Sequence, residues 1–211
     1  MVEGQSSPRP YASLLRTAQA DETRGRIAAA ARAAFVTHGW SGTTVREVAR
    51  AAGVSVPTVY SVYGNKVGLA AALMDAADLS ADPHRVVTEL EEASGDPSRQ
   101  VAASVAFDRR LFEHSGDLLM VLRDAARTEP ELAATRREGP RRGDAARLRV
   151  FSSWTPGTLR SGLTPRRAVD VYAAICSPEG YLELTAERGW TGDDVQECWT
   201  RVVTRELLAP G

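Results

Sequence analysis

The residues best suited to chemistry lie between Thr43 and Lys66. Ser55, Val56, Pro57, Thr58, Tyr60 and Ser61 are small, apolar or hydroxyl-bearing, where a purely solvated helix face would carry Glu and Lys. Short side chains let a helix enter the major groove of DNA. Methyl groups there meet thymine, and hydroxyls meet base edges or phosphate oxygens. Thr43, Thr44, Tyr60, Tyr63 and Lys66 add hydroxyl and ammonium donors that suit phosphates on either side. Residues 22–66 carry 6 basic and 2 acidic groups, in a chain whose net charge is −1. That local excess suits a DNA surface.

These residues need rigid elements to hold them. The spacing predicts a helix over 21–38, with Ile27, Ala31, Ala34 and Phe35 on one face. Gly39 is placed to end it in the left-handed conformation, and Trp40 to pack back on it. Thr44 and Glu47 have the spacing of a capping box, which opens a second helix with Val45, Val48, Ala49 and Ala52 on its apolar face. Gly53 stops that helix. Ser55 caps a third, over 56–63, with Pro57 tolerated in its first turn and Val54 able to staple onto Val59. Asn65 caps a fourth, carrying Leu69, Ala72, Leu73 and Ala76. Two short helices joined by a Gly-containing turn make either a helix-turn-helix or a plain αα-hairpin of a bundle. Spacing leaves both open; the residue types on the third helix favour the first.

The run Thr43-Thr44-Val45-Arg46-Glu47-Val48-Ala49, then Ala52-Gly53-Val54-Ser55, Thr58-Val59-Tyr60-Ser61-Val62-Tyr63 and Asn65-Lys66 with Leu69 resembles the N-terminal domain of TetR-like transcriptional regulators. The likeness spans about residues 22–78. It implies that Thr44, Tyr60, Tyr63 and Lys66 contact the DNA backbone or groove, and that Val45, Val56, Pro57, Thr58, Tyr60 and Ser61 meet bases. Val67-Gly68 departs from the pattern, because acidic residues often follow the lysine there. The fourth helix thus lacks a capping box of its own. Val45 and Val56 donate no hydrogen bond, so readout would lean on Pro57, Thr58, Tyr60, Ser61 and DNA shape.

Beyond residue 80 the pattern is helical throughout, without useful strand alternation, so the expected fold is all-α. The expected organisation is a mobile N-terminal tail over 1–20, a DNA-binding domain over 21–80 and a second helical domain over 81–211. Asp96-Pro97 opens a helix that Gly116 is expected to end, followed by a short one over 118–126. Glu129-Pro130 opens another, with a break or kink expected at 139–143 around Gly139-Pro140. Thr164-Pro165 and Pro178 begin two more, and Asp193 is expected to cap the last.

The resemblance implies that 81–211 senses a ligand and forms a homodimer through helices near 165–188 and 193–208. Phe107, Phe112, Met120, Trp154, Tyr172 and Tyr181 are the candidate pocket residues, although apolar stripes first signal packing. The expected partners are a palindromic double-stranded DNA operator, a second copy of the chain and an unidentified small-molecule effector. The alternative is an activator or architectural DNA binder of the same fold that needs no effector.

Other classes lose their footing. No nucleotide-loop, hydrolase-elbow, zinc-protease or EF-hand pattern is present, so no enzyme, cofactor or metal is expected. Cys176 and Cys198 stand 22 positions apart without a CxxC pair, and read as small apolar residues. No apolar run approaches the ~20 residues of a membrane span, and the start lacks a signal-peptide pattern. A cytoplasmic location is expected.

Overall fold

Pro10 opens the first helix, at a position where its missing N–H costs nothing. The computed structural model describes residues 10–210, with side chains described from 16 onward except at 136. Helix α1 (Pro10–Gly42) corrects the expectation of a tail reaching residue 20. Ala, Leu, Gln and Arg between 11 and 20 are strong helix formers, and a stretch without an apolar stripe can still be helical. Residues 1–9 lie outside the described residues. Inside α1 the backbone breaks at Gly39, where φ is +68°. Trp40 then folds back, its ring stacked on Phe35 at 5.3 Å.

Helices α2 (Val45–Ala52) and α3 (Val56–Tyr63) follow the expected bounds, and α4 spans Lys66–Ser80. The chain divides into two compact units between Ala72 and Leu73, inside α4 and not at its end. In the first unit, Ile27, Ala31, Phe35, Val48, Ala49, Val59 and Leu69 are buried. The apolar periodicity of each short helix therefore becomes that unit's core.

The second unit continues with α5 (Pro83–Glu92), α6 (Pro97–Ala125), α7 (Pro130–Arg136), α8 (Glu138–Ser152), α9 (Pro165–Ile175), α10 (Pro178–Leu182) and α11 (Gly192–Leu207). A π-helical turn, Glu183–Glu187, prolongs α10. Its core joins Val101, Val105 and Phe112 of α6 to Phe151 of α8, Tyr172 of α9, Tyr181 of α10 and Trp199, Val203 and Leu207 of α11. Among the described residues the fold is all-α, with one isolated β-bridge between Leu159 and Leu208. No described helix is long and apolar enough to cross a membrane.

Three local expectations are corrected. Gly116 does not end α6, which continues to Ala125. An interior glycine costs about 1 kcal/mol against alanine, and burial of Phe112, Leu118 and Leu122 along the same helix outweighs it. The break near Gly139-Pro140 falls earlier, at Arg137. Pro140 is thereby in the first turn of α8, where a backbone N–H has no helical partner to lose. The last helix is capped by Thr191 and not by Asp193: the Thr191 hydroxyl accepts from the Asp194 N–H at 3.1 Å, and the Asp194 carboxylate accepts from the Thr191 N–H at 2.9 Å.

Candidate nucleic-acid interface

Two caps set the angle between α2 and α3. Thr44 Oγ1 accepts from the Glu47 N–H at 3.2 Å, and Glu47 Oε2 accepts from the Thr44 N–H at 2.9 Å. Hydrogen bonds from the Thr44 hydroxyl and N–H hold the Glu47 carboxyl below its usual range. Gly53 closes α2 at φ +66°, a left-handed conformation that a side chain would strain. Ser55 Oγ then accepts from the Thr58 N–H at 3.3 Å and lies 2.7 Å from the Thr58 hydroxyl.

On α3 only Val59 is buried. Pro57, Tyr60 and Ser61 are exposed, with Tyr60 half open to solvent at 50%, while Val56 and Thr58 are half-buried. Thr44 is exposed and Val45 half-buried at the start of α2. The outward side of the hairpin is thus short, hydroxylic and apolar, with one phenol standing proud.

Three expected contact residues are engaged internally. Thr43 is 2% exposed and its hydroxyl donates to the Gly39 carbonyl at 2.8 Å, which corrects the expectation that it offers a donor to phosphate. The Tyr63 hydroxyl donates to the Arg24 carbonyl at 3.1 Å, and burial pushes that phenol upward. Lys66 donates its ammonium to the Trp40 carbonyl and sits 4.2 Å from the Trp40 ring centre. These residues set the geometry of the hairpin. Arg46 and Arg50, both exposed on α2, are the cations that sequence reasoning counted only as charge. Their spacing of one helical turn was the available signal.

The departure at Gly68 has a steric reason. A Cβ at that position would lie 2.1 Å from the Tyr63 carbonyl oxygen, so only glycine lets α4 start this close to the end of α3. The Gly68 N–H donates to Asn65 Oδ1 at 2.7 Å, the side-chain cap expected of Asn65. Gly68→Ala should destabilise the first unit by about 1–3 kcal/mol, because the added methyl meets backbone and not a flexible side chain. Urea denaturation checks this; a change under 0.5 kcal/mol contradicts the contact.

In the second unit, Phe112, Tyr172 and Tyr181 are buried core, while Phe107, Met120 and Trp154 are half-buried. Phe112 packs against both Tyr181 and Trp199, with ring centres 6.3 and 6.1 Å away. Phe112, Tyr172 and Tyr181 belong to one core cluster, and Trp154 packs against it. Sequence reasoning missed a polar stripe inside: Gln100, Ser104 and Asp108 of α6 are all buried. Their spacing of four was the signal. Gln100 Oε1 accepts from the Trp154 indole at 2.6 Å. Burial pushes the Cys176 thiol far up, in keeping with an inert core residue. Among the described residues, no group of three or more His, Cys, Asp or Glu could hold a metal.

Residues 27–73 match the family of bacterial regulatory proteins named tetR. This segment is a TetR-family DNA-binding domain. The TetR-family match covers both capped helices and the Gly68 junction. Solved structures share the fold over 89–91% of this chain. NalD of Pseudomonas aeruginosa, described as the secondary repressor of the MexAB-OprM multidrug efflux pump, is 22% identical, with a TM-score of 0.76 over 91% of this chain and 100% of its own. A transcriptional regulator of Saccharomonospora viridis in complex with choline is 15% identical, with a TM-score of 0.70 over 90% and 100%. A TetR-family regulator from Rhodococcus is 18% identical, with a TM-score of 0.69 over 89% and 99%. No curated protein sequence matches the chain significantly.

Proposed function

We propose that the chain is a homodimeric transcriptional repressor, released from a palindromic operator by a small-molecule effector. The observation that carries this reading is the exposed face of α3, a groove-compatible surface on a doubly capped TetR-family hairpin. Val45, Val56, Pro57, Thr58, Tyr60 and Ser61 would read bases, with Ser55 fixing the start of α3. Thr44, Arg46 and Arg50 would meet phosphates, and Thr43, Tyr63 and Lys66 would hold the hairpin in shape.

One short helix buries too little surface to bind tightly, so a second copy on the opposite half-site supplies the missing affinity. The faces of α9 and α11 support a dimer. Ala173 and Ala174 are exposed on α9, and Cys198 and Val202 half-buried on α11, among Arg166, Arg167, Asp170, Glu197, Arg201 and Arg205. Small residues bordered by both charge signs suit helix-on-helix packing between copies. An effector in residues 81–211 would act through α4 and change the spacing of the two recognition helices. The regulator of S. viridis holds choline, so this fold accommodates a small organic cation.

The test is a salt-titrated gel shift of the full chain on the DNA flanking its own gene, followed by footprinting. A protected palindrome with a steep salt slope and a dimeric mass by light scattering is expected. Salt-independent binding, or a monomer on DNA, contradicts the reading. Tyr60→Ala should weaken specific binding by about 1–3 kcal/mol while leaving non-specific binding unchanged. Intact specific binding would mean that α3 is turned differently in the groove.

A further inference from the structure

A charged pair is enclosed where α6, α8 and α9 meet. Asp108 of α6 is 2% exposed, and its two carboxylate oxygens accept from Arg147 of α8 at 2.6 and 2.5 Å. Tyr172 of α9 donates its hydroxyl to the same carboxylate at 2.9 Å. The Arg147 guanidinium lies 4.4 Å from the centre of the Tyr172 ring. Phe151 continues the aromatic wall, 6.2 Å from Tyr172 and 4.7 Å from Trp154 between ring centres. A carboxylate with an aromatic ring beside it, backed by further rings, is an arrangement that recognises organic cations. Here the cation that fills it belongs to the chain itself.

A pair of this kind adds little to stability, since apolar residues of similar volume often hold a fold equally well. The two partners also differ in freedom. Asp108 is a short side chain in the middle of the long α6, fully enclosed. Arg147 keeps 14% of its side chain exposed, on a flexible stem that can swing toward solvent. Arg147 is therefore the partner able to leave. A neutral or anionic ligand taking its place would strand a buried carboxylate, so the replacement must itself be a cation.

Resting on the reading of an effector-responsive regulator, we propose that Asp108, Tyr172, Phe151 and Trp154 form the effector site. Its ligand is an organic cation with an amidinium, guanidinium or ammonium head and an apolar body, and it binds by displacing Arg147. The consequence reaches α4 through the same helix. Arg142, five positions before Arg147 on α8, donates to Asp78 at 2.5 Å and to Asp75 at 3.2 Å, both on the C-terminal half of α4. Arg110 of α6 donates to the Ala81 carbonyl just past the end of α4 at 3.0 Å. Helix α8 thus carries both the cation that the effector expels and the cation that holds α4.

The experiment is calorimetric titration of the full chain, without DNA, against three near-isosteric probes: benzamidine, benzamide and benzoate. The wild type should bind benzamidine at least tenfold more tightly than benzamide and give no heat with benzoate. Asp108→Asn should weaken benzamidine binding at least tenfold, with circular dichroism confirming the fold. Arg147→Met removes the internal competitor and should tighten benzamidine binding at least tenfold. It leaves the Asp108 carboxylate to Tyr172 alone, so circular dichroism with and without benzamidine checks its fold. The wild-type ranking of the three probes keeps the proposal testable if neither variant folds. Equal binding of benzamidine and benzamide to the wild type overturns it. So does benzamidine binding by Arg147→Met alone, since Arg147 would then be a fixed strut. No DNA is in the cell, so this outcome is independent of whether an operator is found.

Discussion

Asp108→Ala should lower the free energy of unfolding by about 3–5 kcal/mol, the cost of removing one member of a buried ion pair. The loss is large because Arg147 must either keep its charge in the site without its main acceptor or draw its stem out of the core and leave a void. Burial holds the Tyr172 phenol well above its ordinary range, so its hydroxyl keeps its proton and loses the acceptor it serves. Replacing the pair together, with Asp108→Leu and Arg147→Met, should recover most of that loss, because two apolar side chains need no compensation. Urea denaturation followed by circular dichroism measures both variants. If the double variant is as unstable as Asp108→Ala, the site depends on side-chain shape and not on stranded charge.

Phe35→Ala should cost a similar amount, about 3–5 kcal/mol for deleting a fully buried ring, and should abolish specific DNA binding although Phe35 is nowhere near the exposed face of α3. Its ring is fully buried and stacked on Trp40. Trp40 in turn offers its carbonyl and its ring to Lys66, the first residue of α4. Deleting the ring therefore removes the platform under Trp40 and the anchor at the start of α4. Denaturation and gel shift on the same preparation check both effects. Specific binding that survives a loss of that size would show that α3 is oriented without help from Trp40.

The first unit was largely legible because its instructions are local. Thr44 and Glu47 are three residues apart, Ser55 and Thr58 likewise, and Gly53 needs only its own backbone to stop a helix. Where the sequence misled, the partner was the missing piece. Thr43 reads as a free hydroxyl because a residue type does not say that the Gly39 carbonyl, four residues back, accepts from it. Lys66 looked like a phosphate donor because Trp40, 26 residues away, is its partner only after folding. In the second unit Asp108 and Arg147 stand 39 residues apart, and nothing local pairs them. Gly116 read as a stop because propensity ignores what Phe112 and Leu122 gain by burial on one continuous helix. Pro140 marked a real boundary, displaced because a proline sits comfortably just inside a helix start.

Lys66 is the only lysine in the chain. Amine-directed reagents therefore have one side-chain target, and that amine rests against the Trp40 ring and carbonyl. The rate at which such a reagent modifies Lys66 is a built-in reporter of how often the contact between Lys66 and Trp40 opens. It needs no introduced label and no engineered cysteine, and it separates motion at that contact from motion elsewhere in the molecule.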